Sequence, residues 1–396
     1  MTDRAAARMA EALGSRCVDV VSNEDLVKRL AEGRPLRVKL GIDPTGPLLH
    51  LGHAVVLRKL RQFQDLGHHA ILIVGDFTAR IGDPSGRADA RPPRSAEEIA
   101  TDMKTYADQA GLILDMDKAE IRYNSEWLGK LDFGRVIELA GKTTVARMLE
   151  RDDFSQRYVA QEPIGLHEFL YPLGMGYDSV AVKADVELGG TEQLFNLLMG
   201  RRLQEEFGQT PQVCMTLPIL EGTDGVQRMG KSLRNFIALR EPPAQMFGKI
   251  MSLPDALLRR YWELATVADD KEIEKLLAQP PRDSKLALAE GIVRLYHGED
   301  AALEAGANFE KTVVRKELPE DMRTYPLTAD SRGATLLKLL VMTGLAGSNR
   351  EGLRLIEQGA VKVDGQRADD GQLSYASWNG KVLQKGNHNF VRISQT

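Results

Sequence analysis

The chain has 396 residues, which is too long for a single compact core, so two or three domains are expected. A formal charge of −4 excludes a protein that is basic throughout, although a local basic surface remains compatible with it. The two cysteines, Cys17 and Cys214, form no CxxC pair, which argues against a zinc site or a disulfide framework and favours a reducing compartment. In chain order, the N-terminus lacks the apolar core of a signal peptide, and no apolar run reaches the ~18–20 residues of a membrane span, so we expect a cytoplasmic protein with no membrane segment.

The first predicted structural unit is a strand, a loop, a helix and a second strand in close succession. Residues 36–42 are rich in β-forming side chains, and Asp43 begins the loop that ends this strand. Apolar residues then recur at helical spacing from Leu51 to Phe63, and the apolar run 69–76 is typical of a strand buried on both faces. This is one βαβ unit, and the loop after its first strand is where such sheets bind ligands.

Strands and helices continue to alternate as far as residue 242, which predicts an α/β domain with a parallel sheet. Two loops rich in glycine and cationic side chains interrupt this part of the chain. The predicted strands cover 121–128, 180–188 and 211–222, the predicted helices lie near 95–111, 134–151, 166–180 and 189–208, and the two loops are 78–94 and 223–235.

The remainder of the chain changes character twice. Residues 243–317 alternate helical segments with breakers and predict a helical domain, and 318–333 have the composition of a linker. The tail, 334–396, predicts two helices, a strand and a β-hairpin. Residues 331–396 contain nine Lys and Arg against five Asp and Glu, so they carry +4 and the rest of the chain −8. A small basic unit on an acidic body suggests an RNA-binding module, but charge alone favours an ordinary solvated surface.

The sequence "HLGH" places His50 and His53 on either side of Gly52, at the start of a predicted helix. A metal site would need i,i+4 spacing and a third ligand, and a buried core histidine explains one such residue better than two. Imidazoles beside the free N–H groups of a helix N-terminus suit an anion, and glycine lets a ligand approach the backbone. Thr45, in the preceding loop, could donate to a phosphate oxygen.

The sequence "RMGKS" places Arg228 and Lys231 three residues apart, followed by the Ser232 hydroxyl, in a loop after a buried strand. A mobile pair of cations suits a triphosphate, but the GxxxxGK[ST] pattern of a Walker A loop is absent. A solvated basic loop is the simpler explanation when this sequence is considered alone. Its combination with "HLGH" on one α/β scaffold is far more specific.

Together these sequences resemble the signatures of class I aminoacyl-tRNA synthetases: "DPTGPLLHLGH" resembles HIGH and "RMGKS" resembles KMSKS. Between them, "GDFTARIGDPSGR", "YPLGMGYDSV" and "VELGGTEQLFNLL" resemble the tyrosyl-tRNA synthetase family, in its bacterial branch with a compact C-terminal domain. The tail "SNREGLRLIEQGAVKVDGQ" resembles an S4 RNA-binding domain. The resemblance implies a Rossmann-like catalytic domain with a parallel sheet over 1–242, an α-helical anticodon-side domain over 243–317, a linker over 318–333, and a small α+β S4-like domain over 334–396.

The resemblance also implies a two-step reaction. The carboxylate of L-tyrosine attacks the α-phosphate of ATP, which gives tyrosyl-adenylate and pyrophosphate, and the tyrosyl group then passes to the 3′-terminal adenosine of tRNA(Tyr). No protein nucleophile is needed, because catalysis rests on positioning and on stabilising charge on the phosphates. Mg²⁺ is expected to accompany ATP and to be held mainly by the phosphates, with no structural metal in the protein. The family is homodimeric, and each tRNA contacts both subunits.

The ATP-binding residues implied by the resemblance lie in the two signatures and in the loop "GGTEQ". Each contributes either a phosphate-binding donor or space for the nucleoside. Thr45, His50 and His53 would contact the phosphates and ribose, Arg228, Lys231 and Ser232 would close over the pyrophosphate, Gly52 and Gly190 would make room for adenine and ribose, and Glu192 would accept a hydrogen bond from a ribose hydroxyl.

The amino-acid pocket implied by the resemblance has a phenol end and an ammonium end. Asp178 would accept a hydrogen bond from the phenol, although "GYDS" alone leaves open a surface carboxylate at a helix end. The remaining implied residues are Asp83, Tyr171 and Gln193 around the ammonium, Met175 beside them, Asp43 close by, and Lys39 at the floor of the pocket.

Four positions depart from the family pattern. Met175 stands where glutamine usually contacts the substrate ammonium, and methionine cannot make that hydrogen bond. Glu192 replaces an aspartate, Gly230 replaces the central serine of KMSKS, and Arg228 replaces its first lysine. Met175 leaves open an adenylating enzyme for another aromatic amino acid, and the altered signatures leave open a non-catalytic RNA-binding descendant.

Overall fold

The computed structural model describes residues 2–84, 95–103, 105–314, 322–327, 334–368, 378–386 and 389–395. The chain divides into two compact units, Met1–Gly298 and Glu299–Thr396, which are described separately. Among the described residues, no helix combines the length and the hydropathy that a membrane crossing requires.

A six-stranded sheet forms the centre of the first unit and has the order β1-β6-β5-β2-β3-β4. Strands β2 to β6 are parallel, as predicted, and β1 pairs antiparallel with β6 at one edge. The chain runs outward from β2 through β3 to β4, crosses back to β5, and runs outward again to β6. Ligands bind where such an order reverses, here between the carboxyl ends of β2 and β5. The strands are β1 Asp19–Val21, β2 Arg37–Ile42, β3 His69–Val74, β4 Ala119–Tyr123, β5 Val186–Gly190 and β6 Val213–Leu217.

Helices pack around this sheet and continue beyond β6. They are α1 Asp3–Gly14, α2 Asn23–Ala31, α3 Leu51–Asp65, α4 Thr78–Ile81, α5 Ala96–Met103, α6 Tyr106–Ala110, α7 Ser125–Leu128, α8 Phe133–Ala140, α9 Val145–Met148, α10 Asp152–Val159, α11 Leu170–Val182, α12 Leu194–Glu206, α13 Pro243–Met251, α14 Leu258–Ala265, α15 Asp270–Leu277 and α16 Pro281–His297.

Several elements differ from the prediction. The helix predicted near 95–111 is divided into α5 and α6, and the strand predicted over 211–222 is confined to β6. Three further differences have a local cause. The strand predicted to reach residue 128 ends at Tyr123, because Asn124 has helical backbone angles (φ −73°, ψ −11°) and α7 follows it. The long helix predicted to end near residue 151 is broken, because Thr144 is extended (φ −128°) and caps the separate helix α9. Lys183 adopts the left-handed conformation (φ 51°) and ends α11 inside the segment predicted as the next strand.

The second unit contains the predicted pair of helices and the predicted hairpin. Ser348 caps the second helix by accepting a hydrogen bond from the Glu351 N–H group. One difference concerns the predicted linker 318–333, because Thr324–Leu327 forms an edge strand parallel to the last strand. The elements are α17 Glu299–Phe309, β7 Thr324–Leu327, α18 Leu336–Met342, α19 Asn349–Glu357, β8 Val361–Val363, β9 Gln366–Arg367, β10 Val382–Lys385 and β11 Asn389–Gln395, with the sheet order β7-β11-β10-β8-β9.

A buried ion pair joins the two central strands of the first unit. The register of β2 and β5 sets Lys39 opposite Glu187, and Lys39 Nζ lies 2.7 Å from Glu187 Oε1 with both side chains fully buried. Lys39 also donates to Ser179 Oγ at 2.9 Å and to the Met175 carbonyl at 3.0 Å. These contacts of Lys39 therefore fix α11 against the sheet, directly behind the point where the strand order reverses.

Lys39→Met should strongly destabilise the first unit, because it leaves the Glu187 carboxylate buried without its cation. Breaking a buried pair from one side costs about 3–5 kcal/mol, whereas the double variant Lys39→Met, Glu187→Met should cost less. The urea midpoint of each variant measures this difference. Arg259→Met, which breaks an exposed pair with Glu274, is the matched control and should shift the midpoint much less. Equal shifts for Lys39→Met and Arg259→Met would contradict the assigned role.

Candidate active site

A cavity of about 1220 Å³ opens at the carboxyl ends of β2 and β5. Fifteen of the sixteen predicted site residues line it. The exception is Lys39, which lies beneath the cavity because its ammonium group pairs with Glu187 and donates a hydrogen bond to the Met175 carbonyl of α11. The fifteen are Asp43, Thr45, His50, Gly52, His53, Asp83, Tyr171, Met175, Asp178, Gly190, Glu192, Gln193, Arg228, Lys231 and Ser232.

The two histidines of "HLGH" contact each other at the N-terminus of α3. The backbone N–H of His50 donates to His53 Nδ1 at 3.2 Å, and the ring centroids are 3.9 Å apart. A neutral His53 therefore carries its proton on Nε2. Burial and the nearby Lys231 charge lower the pKa of His53 to about 3, and burial, His53 and Lys231 hold the pKa of His50 well below its ordinary value. Both rings are consequently neutral hydrogen-bonding groups near pH 7.

The loop that carries "RMGKS" is organised by Asn235. Its side chain accepts from the Gly230 N–H at 2.8 Å and donates to Asp224 Oδ2 at 2.6 Å and to the Arg228 carbonyl at 3.1 Å. Asn235 was not singled out from the sequence, because an asparagine in a polar loop has no distinguishing pattern there.

Backbone hydrogen bonds bring the two signatures together. The Leu51 N–H donates to the Ile237 carbonyl at 3.0 Å, and the Leu239 N–H donates to the Leu49 carbonyl at 3.0 Å. Lys231 Nζ then donates across the gap to the Gly46 carbonyl at 2.9 Å. The cation of the second signature is thus held over the loop of the first.

Asp178 lies at the closed end of the cavity and is 3% exposed. Its two oxygens accept hydrogen bonds from Trp127 Nε1 at 2.8 Å and Asn124 Nδ2 at 3.2 Å. Burial raises the pKa of the Asp178 carboxyl to about 6, although Lys39 and these donors act in the opposite direction. The surface carboxylate left open by the sequence is therefore wrong. Trp127 and Asn124 were not predicted, since nothing in "YNSEWL" connects them with a residue on α11.

Carboxylates and their donors dominate another part of the cavity. The Tyr171 hydroxyl donates to Asp43 Oδ2 at 3.0 Å, and Gln193 Nε2 donates to Asp83 Oδ2 at 2.8 Å. Burial and Asp83 raise the pKa of Glu192, while Arg228 lowers it. Asp43, Asp83 and Glu192 are three acidic side chains that line this cavity, and they favour a cationic ligand group there.

Met175 is 8% exposed and packs in an apolar cluster with Tyr171, Leu197 and Cys214. Its thioether, a weak acceptor, lines the cavity beside the carboxylates.

Comparison with known proteins shows the family to which the chain belongs. A family model described as "tRNA synthetases class I (W and Y)" matches residues 31–314, and an S4 domain model matches 335–372. The chain is 51% identical to the tyrosine–tRNA ligase of Moorella thermoacetica over 98% of this chain and 96% of that protein, and 51% identical to that of Thermotoga maritima over 95% of each. The chain belongs to the tyrosine–tRNA ligase family. The predicted resemblance and the aminoacyl-tRNA synthetase activity, with ATP as substrate, are thereby confirmed.

Solved structures support the fold of this enzyme. A C-terminally truncated mitochondrial tyrosyl-tRNA synthetase of Aspergillus nidulans aligns with a TM-score of 0.63 and 22% identity, over 77% of this chain and 97% of that one. The synthetase of Archaeoglobus fulgidus complexed with L-tyrosine aligns with a TM-score of 0.61 and 22% identity, over 77% of this chain and 100% of that one. The predicted fold class, an α/β synthetase with an S4 domain, is confirmed.

Asp178→Asn should change the pH dependence of stability in a defined direction. Because the pKa of Asp178 is raised to about 6, the folded protein binds this proton more tightly than the unfolded chain does. The carboxyl therefore contributes stability at pH 4 that is lost as the pH rises through 6, by about 3 kcal/mol. The difference in free energy of unfolding between native protein and variant, measured from pH 4 to 7, should fall by this amount.

The control for this measurement is Asp224→Asn. Backbone N–H groups of Val226 and Gln227 lower the pKa of Asp224, so its contribution is lost as the pH falls, which is the opposite sign. A difference for Asp178→Asn that stays constant between pH 4 and 7 would contradict the raised pKa.

Proposed function

We propose that this enzyme activates L-tyrosine with ATP and transfers the tyrosyl group to the 3′-terminal adenosine of tRNA(Tyr). The assignment of tyrosine as the amino acid rests on the burial and the hydrogen bonds of Asp178. Its buried oxygens each receive one donor, from Trp127 and Asn124, and retain lone pairs for another. A phenol hydroxyl would donate to one of these lone pairs, whereas a phenyl ring would cover them without supplying a donor, which is costly in a buried site.

With the phenol at Asp178, we assign the ammonium group to the acidic part of the cavity. Asp43, Asp83 and Gln193 offer acceptors there, and Tyr171 and Gln193 already orient the two carboxylates. An ammonium group is a donor only, so this arrangement suits it. Met175 adds packing but no strong acceptor.

The phosphates of ATP are assigned to the opposite side, where the two signatures meet. A tyrosine carboxylate oxygen attacks the α-phosphorus, and the bond to the oxygen that bridges to the β-phosphorus breaks, so pyrophosphate leaves. Thr45 and the neutral His50 and His53 supply donors to this charge, and the cations of the second signature balance the departing pyrophosphate. The nucleoside residues in this proposal are Gly52 and Gly190 beside adenine and ribose, Glu192 at a ribose hydroxyl, and Arg228, Lys231 and Ser232 over the pyrophosphate.

Mg²⁺ fits this arrangement as a companion of ATP rather than as a resident ion. The side chains assigned to the phosphates are imidazoles, hydroxyls and cations. The carboxylates are assigned elsewhere, with Asp43 and Asp83 at the ammonium, Asp178 at the phenol and Glu192 at a ribose hydroxyl. Bound to the phosphates, Mg²⁺ would neutralise part of their charge.

For the second step we propose that the S4-like residues 334–396 and the helical, anticodon-side residues 243–317 contact tRNA(Tyr), while residues 1–242 carry the catalytic site. The S4 match over 335–372 and the charge of +4 in 331–396 support this assignment. Because the product is used in translation, we place the enzyme in the cytoplasm.

The test of the amino-acid assignment is pyrophosphate exchange with each aromatic amino acid, in the native protein and in Met175→Gln. Tyrosine should give the highest kcat/KM in both proteins, and the added amide should lower KM for tyrosine by up to about tenfold. Met175→Leu, which adds no acceptor, is the matched control and should leave KM nearly unchanged.

Two outcomes would contradict this assignment. Preference for another amino acid, with tyrosine becoming the best substrate only in Met175→Gln, would establish the alternative adenylating enzyme. Absence of exchange with every amino acid would establish the non-catalytic alternative.

We also propose that the enzyme is a homodimer. Large apolar side chains are exposed in the segment between β4 and α11, and an apolar surface of this kind is unusual on a monomer. They are Phe133, Ile137, Val145, Tyr158, Val159 and Leu166, with exposed fractions between 58% and 83%. Burying them against a second copy would remove this surface from water.

Ile137→Asp combined with Val159→Asp should therefore shift the protein toward the monomer in analytical ultracentrifugation, because two charges would be buried in the interface. Val267→Asp, at a position 75% exposed outside this segment, is the control and should leave the dimer intact. An unchanged sedimentation coefficient for the double variant, or a monomeric native protein, would contradict the proposed interface.

A further inference from the structure

Four side chains form a closed ring of hydrogen bonds at the acidic part of the cavity. Arg151 Nη1 donates to Asn196 Oδ1 at 3.1 Å, and Asn196 Nδ2 donates to Gln193 Oε1 at 2.8 Å. Gln193 Nε2 donates to Asp83 Oδ2 at 2.8 Å, and Arg151 Nη2 donates to Asp83 Oδ1 at 3.4 Å. Asp83 and Gln193 line the cavity, whereas Arg151 and Asn196 lie behind them.

The chemistry of the ring fixes the direction of every bond in it. Arg151 can only donate and the Asp83 carboxylate can only accept. Asn196 must therefore turn its oxygen to Arg151 and its amide nitrogen to Gln193, and Gln193 must turn its own nitrogen to Asp83. Without the arginine, Asn196 Oδ1 and Asp83 Oδ1 each lose the donor that the guanidinium supplies, so the Asp83 carboxylate and the Asn196 amide are held less firmly, although Asp83 still selects the nitrogen of Gln193.

Arg151 is itself rigidly held. It is 5% exposed, its Nε lies 2.7 Å from Asp153 Oδ1, and its guanidinium lies 5.3 Å from the ring centroid of Phe154 and 6.0 Å from that of Phe195. The guanidinium thus contacts both Asp153 and Asp83, and its position beside Asp83 is fixed.

We propose that Arg151, acting through Asn196 and directly on Asp83, is the positioning residue for the ammonium group of the amino-acid substrate. This inference rests on the proposed function and extends it to two residues outside the cavity lining. It also explains how the site can hold an ammonium group beside Met175. The ring holds Asp83 and Gln193 in their binding orientation before the substrate arrives, so no binding energy is spent on ordering them.

The test compares L-tyrosine with 3-(4-hydroxyphenyl)propionate, which is tyrosine without its ammonium group, as ligands of the full-length protein. Arg151→Met should weaken tyrosine binding by about 10- to 100-fold, because the acceptors of a charged donor lose their orientation. Binding of the analogue should change less than about twofold, because it makes no use of these acceptors. The ratio of the two dissociation constants, measured by fluorescence titration, is the readout.

Arg157→Met is the matched control. Arg157 lies in α10, which Arg151 immediately precedes, and has the same 5% side-chain exposure, but it pairs with Glu168 and does not line the cavity. This variant should lower the midpoint of thermal unfolding and leave the ratio unchanged. Arg151→Lys keeps the charge and loses the planar fork, so it should resemble Arg151→Met rather than the native protein.

Four results would overturn the inference. Two concern Arg151→Met, which could weaken the binding of both ligands equally or weaken the binding of neither. The other two are a native ratio of dissociation constants in Arg151→Lys, and a native protein that binds tyrosine no better than the analogue. A native protein that binds neither ligand would instead contradict the proposed function, on which this inference rests. Because the analogue retains the phenol and the carboxylate, its binding separates these two cases.

Discussion

The parallel pairing of β2 with β5 is the constraint on which the rest of the structure depends. It sets the loop that follows β2 beside the loop that follows β5, and the Lys39–Glu187 pair beneath them fixes both strands to α11. The "HLGH" signature, the "GGTEQ" loop and Asp178 consequently face one cavity. A buried ion pair of this kind is expensive to desolvate, so its value here lies in fixing the register of the strands rather than in net stability.

A second constraint joins the two signatures, which are far apart in sequence. Residues 49–51 and 237–239 share backbone hydrogen bonds, which join the start of α3 to the segment that follows the cationic loop. Asn235 holds the remainder of that loop, and Lys231 reaches across to Gly46. The side of the site that we assign to ATP is thus assembled by backbone and loop contacts, whereas the side that we assign to the amino acid is assembled by side chains on strands and helices.

Periodicity predicted the parallel sheet and the hairpin of the tail, because it is a local pattern, and the resemblance to the tyrosyl-tRNA synthetase family implied fifteen of the residues that line the cavity. Neither could predict Asn124, Trp127, Asn196 or Arg151, whose roles depend on tertiary contacts between distant segments. The same limit explains Lys39. The family resemblance implied a place at the pocket floor, but its ion pair with Glu187 on the neighbouring strand holds its side chain beneath the cavity. The element boundaries that differed were decided by single backbone conformations, such as the left-handed Lys183.

The charges around the cavity are separated in a way that orients a zwitterion. Acidic groups gather where the ammonium is assigned, and Arg228 and Lys231 lie where the phosphates are assigned. The lowered pKa values of His50 and His53 are part of this separation, because two imidazolium ions 3.9 Å apart and beside Lys231 would repel one another. Neutral rings let the lysine remain close and still donate hydrogen bonds to phosphate. The arrangement therefore holds Lys231 over the loop of the first signature without adding the charge of two imidazolium ions beside it.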